Sequence, residues 1–153
     1  MPHSQQPPHA PTTAPTTATA AATAAATAVQ LNHTAVYATD RRLSAEFIAA
    51  VLGLTVAAPF GPFLPVDLGN GVTLDYYEKT DEPIQSQHYA FLLPEDRFDA
   101  AISRLEFLGV TYYSDPAHTD PGRPNTLFGG RGAYFLDPDG HNMEIMTVPY
   151  ARP

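Results

Sequence analysis

The chain of 153 residues carries a formal net charge of −8 and contains no cysteine. This length favours one domain or two small modules that share a core, and the acidic balance without a basic stripe predicts no nucleic-acid partner. The lack of cysteine excludes disulfides, thiolate metal ligands and a cysteine nucleophile. No run of about 18 apolar residues occurs, so we expect no membrane span, no membrane partner and a cytoplasmic location.

The first 28 residues differ in composition from the rest of the chain. Residues 1–28 are mostly Ala, Thr and Pro and include no Asp, Glu, Lys or Arg. Such a segment buries little apolar surface, and it lacks the basic start and the Leu-rich or Val-rich stretch of a signal peptide. We therefore predict a disordered tail over 1–28 and a folded domain over 29–150.

The region from about residue 30 to 80 has the pattern of one β-α-β-β-β module. Residues 31–38 are rich in strand-forming side chains, Asp40 is an N-cap signal, and Gly53 is a stop signal for a helix that reaches Leu52. The apolar face of this helix is predicted to contain Leu43, Phe47, Ile48 and Val51. Further strands are predicted near 54–57, 63–68 and 72–78.

The same order repeats from about residue 84 to 150. Pro94 opens a second helix after a strand, and Gly109 ends it. The segment Asp137-Pro138-Asp139-Gly140 is a strong hairpin-turn signal. The strands of this module are predicted at 87–93, 110–113, 133–136 and 142–148, with a long Pro-rich and Gly-rich loop over 114–131. The fold class predicted is α+β with paired βαβββ modules.

Four side chains with metal-binding chemistry lie at equivalent places in the two modules. His33 and His88 lie on the predicted first strands, and Asp75 and Glu144 lie on the predicted last strands. If the modules pair about a pseudo-twofold axis, all four side chains converge. Imidazoles and a carboxylate can hold a divalent metal while other coordination positions stay open.

Three segments resemble the vicinal oxygen chelate superfamily, which includes glyoxalase I, extradiol dioxygenases, fosfomycin-modifying enzymes and bleomycin-sequestering proteins. The segments are Leu31-Asn-His, His88-Tyr-Ala-Phe and Gly132-Ala-Tyr-Phe-Leu-Asp-Pro-Asp-Gly-His-Asn-Met-Glu. The resemblance covers about residues 30–150. It implies that the modules form a curved, cup-shaped mixed sheet that holds a metal, usually in a homodimer.

The resemblance also implies roles for individual residues. His33, His88 and Glu144 match the three metal-ligand positions, so we expect one divalent ion, which could be Fe²⁺, Mn²⁺, Ni²⁺ or Zn²⁺. Asp75 matches a fourth ligand of glyoxalase I and is predicted to act as a ligand or base. If the register of its strand is shifted by one residue, Leu74 is the inward residue instead. Tyr134 matches an active-site tyrosine and is predicted to donate a hydrogen bond or transfer a proton.

Two departures from the family pattern concern the loop before the last hairpin. Asn125 stands where the dioxygenases have a catalytic histidine, and His118 in the same loop is the alternative histidine. Of the basic residues that could hold a phosphonate, the loop offers Arg123 and Arg131. We predict that Arg131 and Asn125 bind substrate, with a solvated loop cation as the alternative for Arg131.

These observations predict a metal-dependent enzyme that acts on a small oxygen-bearing substrate chelated to the metal. Dioxygenase, isomerase, lyase and transferase chemistry all remain open. The alternative is a non-catalytic protein of the same fold that sequesters an antibiotic or a metabolite.

Overall fold

The computed structural model describes residues 29–150, so the predicted disordered tail lies outside the described residues. Within this range, residues 32–150 form one compact unit. Within the described range the strands and helices are β1 His33–Ala38, α1 Arg41–Leu52, β2 Phe63–Asp67, β3 Thr73–Glu78, β4 His88–Leu92, α2 Glu95–Phe107, β5 Tyr112–Tyr113, β6 Gly132–Leu136 and β7 Asn142–Met146. Neither helix is long and apolar enough to cross a membrane.

Each module forms its own mixed sheet. The first sheet has the order β1-β3-β2 and the second has the order β4-β7-β6-β5. In both sheets the first strand of the module lies parallel to the last strand, and the remaining pairs are antiparallel. The α+β class and the paired modules are therefore confirmed, and both sheets are open rather than closed.

Helix α1 begins and ends where its capping residues predict. The Asp40 carboxylate accepts hydrogen bonds from the amides of Arg42 and Leu43, and Gly53 adopts a left-handed conformation with φ 67°. The predicted apolar face is partly wrong, because Leu43 is 55% exposed and lies at the edge of the buried stripe. That stripe consists of Ser44, Ala45, Ile48, Ala49, Val51 and Leu52.

Two predicted strands are shorter than expected for the same physical reason. The amide of Leu54 donates to the carbonyl of Ala49, and the amide of Val110 donates to the carbonyl of Leu105. These bonds close the C-terminal ends of the helices and use amides that a strand would need. The segment 54–57 is consequently reduced to one bridge between Val56 and Val66, and the strand predicted at 110–113 is reduced to β5.

Alternation along the strands divides each sheet into a buried face and an open face. A single buried cluster contains residues of both helices and of both sheets, including Leu74 of β3 and Ile145 of β7. Leu74 is 3% exposed, so the register places Asp75 on the opposite, open face. Ala35 is the β1 residue that pairs with Asp75, so it shares this open face. His33 lies two positions before Ala35, and alternate residues of a strand point to the same face, so His33 lies on the open face as well.

The turn between β6 and β7 connects the two modules. The carboxylate of Asp139 accepts hydrogen bonds from Thr39 N at 2.9 Å, Thr39 Oγ1 at 2.6 Å and Ser44 Oγ at 2.7 Å. His141, which is 1% exposed, accepts from the Gln87 amide at Nδ1 and donates from Nε2 to the carbonyl of Tyr37 at 2.8 Å. Both side chains of the turn thus hold the first module against the second.

Replacing Asp139 by alanine tests this connection. Burial alone would raise the pKa of the Asp139 carboxyl, but the hydrogen bonds from Thr39 and Ser44 outweigh burial and hold this pKa below its ordinary value. A depressed folded-state pKa stabilises the fold above the unfolded pKa of about 3.9, and this contribution is lost as the pH falls through the folded value. We expect Asp139→Ala to lower the free energy of unfolding by about 1.5–3 kcal/mol at pH 7, measured by urea denaturation.

Asp67→Ala is the matched control, because the Asp67 carboxylate accepts from the Gly69 amide inside a single turn. This control is expected to lower the free energy of unfolding by about 0.5–1 kcal/mol. The difference between the parent and Asp139→Ala should shrink below about pH 4. Equal losses for the two variants at pH 7 would contradict a special role for Asp139.

Candidate metal centre

His88 and Glu144 meet on the open face of the second sheet. Strand β4 pairs with β7 so that Ala90 lies beside Glu144. His88 Nε2 lies 3.2 Å from Glu144 Oε2, and the two side chains are 50% and 1% exposed, respectively. The pair therefore consists of a buried carboxylate and an imidazole that solvent still reaches.

The hydrogen bonds of His88 define which of its nitrogens can bind a cation. Nδ1 lies 2.9 Å from the carbonyl oxygen of Asn142, and a carbonyl can only accept, so Nδ1 carries a proton. In the neutral ring Nε2 is then an acceptor that faces the Glu144 carboxylate, and two acceptors this close need a proton or a metal ion between them. The 3.2 Å separation also suits two ligands of one metal ion, which lie about 2.9–3.4 Å apart for bonds of about 2.0–2.1 Å.

Tyr134 lies directly across the β6–β7 pair from Glu144. Its ring stacks at 6.3 Å from the ring of His88, and its hydroxyl lies 2.9 Å from the hydroxyl of Tyr150. Burial first, and then the contacts with Tyr150 and Glu144, raise the pKa of Tyr134 well above its ordinary value. Tyr134 is consequently a protonated phenol at neutral pH, able to donate a hydrogen bond and poorly able to release its proton.

Tyr150 is a residue of this centre that sequence reasoning missed. Its hydroxyl donates a hydrogen bond to Glu144 Oε1. Burial raises the pKa of Tyr150, and its hydrogen bond to Glu144 raises it further. Tyr150 follows Pro149 beyond the last strand, where no periodic pattern indicates which way a side chain points.

His33 and Asp75 lie together on the first sheet, apart from His88 and Glu144. Both line a cavity of about 380 Å³ on the open face of that sheet. His33 Nδ1 donates to the Asn32 side-chain oxygen at 2.8 Å, which leaves Nε2 as the acceptor nitrogen. Among residues 29–150 of one chain, no three or more His, Asp or Glu side chains are grouped to hold a metal.

The side chains of Arg131 and Asn125 contact the protein itself. Arg131 donates from Nε to Glu95 at 2.8 Å and from Nη1 to Asp99 at 2.7 Å, and its guanidinium lies 4.5 Å from the centre of the Phe98 ring. Asn125 donates to the carbonyl of Ser114 at 2.8 Å. These contacts fix the loop that precedes β6, and substrate binding by either residue stays a prediction.

His118, the alternative histidine of that loop, lies close to the pair. Its Nε2 is hydrogen-bonded to the side chain of Asn142 at 3.1 Å, and the backbone carbonyl of Asn142 accepts from His88. The ring of His118 stacks on Tyr113 at 4.7 Å. Its φ of 58° is strained for a residue with a side chain, a feature that concentrates at functional sites.

This fold and this pair of potential ligands agree with comparison to known families. The model of the Glyoxalase/Bleomycin resistance protein/Dioxygenase superfamily matches residues 30–145. The chain belongs to this superfamily, which confirms the resemblance inferred from the three segments.

Individual relatives fall into two groups by name. Glutathione transferase FosA from Serratia marcescens is 33% identical over 120 residues, which cover 75% of this chain and 78% of that protein. The solved structure of Oxidase ChaP-H2 is 54% identical with a TM-score of 0.77, and the match covers 80% of this chain and 96% of that one. Oxidase ChaP-H1 is 49% identical with a TM-score of 0.78, and the match covers 82% and 100%, respectively.

The contacts of Arg131 predict a measurable effect on stability. Arg131→Gln removes the ion pairs with Glu95 and Asp99 and the contact with Phe98. We expect a loss of about 1–2 kcal/mol in the free energy of unfolding, because exposed ion pairs and a cation–π contact each contribute modestly.

Arg123→Gln is the control, because Arg123 pairs with Asp120 three residues away in the same loop and is 72% exposed. This control should lose less than about 0.5 kcal/mol in urea denaturation. If Arg131→Gln lost no more than Arg123→Gln, the structural role of Arg131 would be refuted.

Proposed function

We propose that this chain is the subunit of a homodimeric, metal-dependent enzyme that oxidises a small molecule bearing two neighbouring oxygens, with dioxygen as the oxidant. The observation that carries the proposal is the His88–Glu144 pair, in which two acceptor atoms face each other at 3.2 Å. The identity of 54% and 49% to two proteins named as oxidases favours oxidation over the thiol transfer named for the relative at 33%.

The proposed metal ligands are His33, His88 and Glu144. Two imidazoles and one carboxylate suit Fe²⁺, Mn²⁺, Ni²⁺ or Zn²⁺, and this set with open positions is typical of non-haem iron oxygenases. Oxidation disfavours Zn²⁺ among these ions, because Zn²⁺ has no redox chemistry. When bound, the metal would polarise the chelated oxygens of the substrate as a Lewis acid.

The placement of His33 supports a site that two chains share. One chain brings His88 and Glu144 together, whereas His33 lies on the separate first sheet. In a twofold dimer, every contact between the two copies occurs twice. His33 of each copy would therefore complete the metal site begun by the His88–Glu144 pair of the other copy. The open faces also expose apolar side chains that such contact would cover, including Tyr37 at 47%, Leu92 at 56% and Leu136 at 45% exposure.

Other residues of the open faces would act on the substrate directly. Tyr134 would accept a hydrogen bond from a substrate hydroxyl at its phenol oxygen, because its own proton is directed to Tyr150. Asp75, which shares a cavity with His33, would accept a substrate proton or act as a fourth ligand. A cavity of about 510 Å³ on the same sheet is lined by Tyr37, Phe63 and Tyr77 and has room for a small molecule.

Subunit complementation tests the shared metal centre. The parent, purified without oxygen or chelator, should contain about one metal ion per chain by plasma mass spectrometry, while His33→Ala and Glu144→Ala should contain little. When the two variants are unfolded together and refolded, some dimers contain one chain of each variant. Each of these mixed dimers regains one of its two metal sites. The mixture should therefore recover about a quarter of the parent's metal content.

Glu46→Ala is the control, because Glu46 is an exposed carboxylate on α1 and should leave metal content unchanged. No recovery in the mixture would contradict the shared site and indicate ligands from a single chain. No metal in the parent, even after reconstitution with Fe²⁺, would refute the metalloenzyme.

The reaction class is tested on the iron-loaded protein. We expect oxygen uptake, measured with an electrode, when catechol and substituted catechols are supplied, and we expect chelator to abolish that uptake. A glutathione adduct of fosfomycin, detected by mass spectrometry, would instead indicate transferase activity. Binding of unchanged ligand that survives the chelator would indicate a sequestering protein.

A further inference from the structure

We infer that Tyr150 is a positioning residue for the carboxylate of Glu144, an inference that rests on the proposed metal site. Glu144 has two oxygens with different partners. Oε2 faces His88 Nε2, and Oε1 accepts the hydrogen bond from the Tyr150 hydroxyl. Tyr150 therefore occupies one oxygen and leaves the other directed to the position that the metal would take.

Burial makes this protein hydrogen bond necessary. Glu144 is 1% exposed, so bulk water cannot orient its carboxylate. Partners of a metal-binding carboxylate fix its rotation and typically contribute a factor of about 10–100 to metal affinity. Tyr150 supplies such a hydrogen bond to Oε1.

The hydroxyls of Tyr150 and Tyr134 form a directed chain to the carboxylate. The single proton of Tyr150 is committed to Glu144 Oε1, because the Tyr150 hydroxyl is the donor in that hydrogen bond. The hydroxyl of Tyr134, 2.9 Å away, is then the donor to Tyr150. Tyr150 thus also sets the orientation of the predicted catalytic hydroxyl of Tyr134.

The segment that carries Tyr150 is held along the loop before β6. The Thr147 amide donates to the carbonyl of Arg131 at 3.0 Å, and the Arg131 amide donates to Thr147 Oγ1 at 2.9 Å. At Gly130 an added Cβ would lie 2.7 Å from the side chain of Val148. Only glycine allows the two segments to approach this closely without a shift.

Phe128 adds strain at the point of contact with Tyr150. Its backbone adopts φ 56° and ψ 23°, a left-handed conformation that is unfavourable for a residue with a side chain. The ring is 66% exposed, so burial explains little of its placement, yet its centre lies 4.7 Å from that of Tyr150. A residue in a strained conformation thus packs its ring against Tyr150.

The test compares Tyr150→Phe with the parent. Each metal-free protein is titrated with Mn²⁺, and binding is monitored by electron paramagnetic resonance. Removing the hydroxyl leaves the ring in place and frees Oε1 to rotate. We expect the Kd for Mn²⁺ to rise about 10–100-fold, while the variant still unfolds in one cooperative transition.

Tyr112→Phe is the matched control, because Tyr112 also loses a hydroxyl–carboxylate hydrogen bond, to Glu106 at 3.0 Å, on a different part of the sheet. Its Kd for Mn²⁺ should stay within about twofold of the parent's. A second variant, Phe128→Gly, relieves the left-handed strain and removes the ring, so it should weaken Mn²⁺ binding without lowering the unfolding temperature.

The outcomes separate this inference from the proposed function. If the parent binds Mn²⁺ and Tyr150→Phe binds it equally or more tightly, the positioning role is refuted and the metal site stands. If the parent binds no Mn²⁺ or Fe²⁺, the metal site and the positioning role are both refuted.

Discussion

Glu144 places a carboxylate on an internal strand of the second sheet, where 1% of its surface is exposed. Burial of an unpaired carboxylate costs several kcal/mol, so every neighbouring group must compensate it. Tyr150 does so at Oε1 and Tyr134 supports Tyr150, whereas Oε2 faces the acceptor nitrogen of His88 and needs a proton or a metal ion as its partner. The requirement to satisfy this one group accounts for the aromatic and imidazole side chains gathered on that face of the sheet.

The opposite face of the same sheet packs against the apolar core. There Met143 and Ile145, the neighbours of Glu144 in sequence, are fully buried in the apolar core. The turn that leads into β7 holds the first module through Asp139 and His141. Period-two alternation thus lets one strand stabilise the fold on one side and present the Glu144 carboxylate on the other.

Much of this arrangement follows from local signals in the sequence. Capping residues predict both ends of α1, and alternation assigns His88 and Glu144 to the same face. The strands after the helices were predicted to begin too early, because the helix ends capture the amides of Leu54 and Val110. Tyr150 could not be predicted, since its contact with Glu144 depends on how the chain beyond β7 packs on a distant loop, and no residue spacing encodes that.

The proposed sharing of the metal between two copies couples metal binding to association. Suppose that His33 of one copy and the His88–Glu144 pair of the other hold one ion. Binding of the ion then strengthens dimer association by the same factor by which dimer association strengthens binding of the ion. A single chain then bears the cost of burying Glu144 and of straining Phe128 without gaining a complete site. Apparent metal affinity would consequently increase with protein concentration, as mass action requires of any ligand held between subunits.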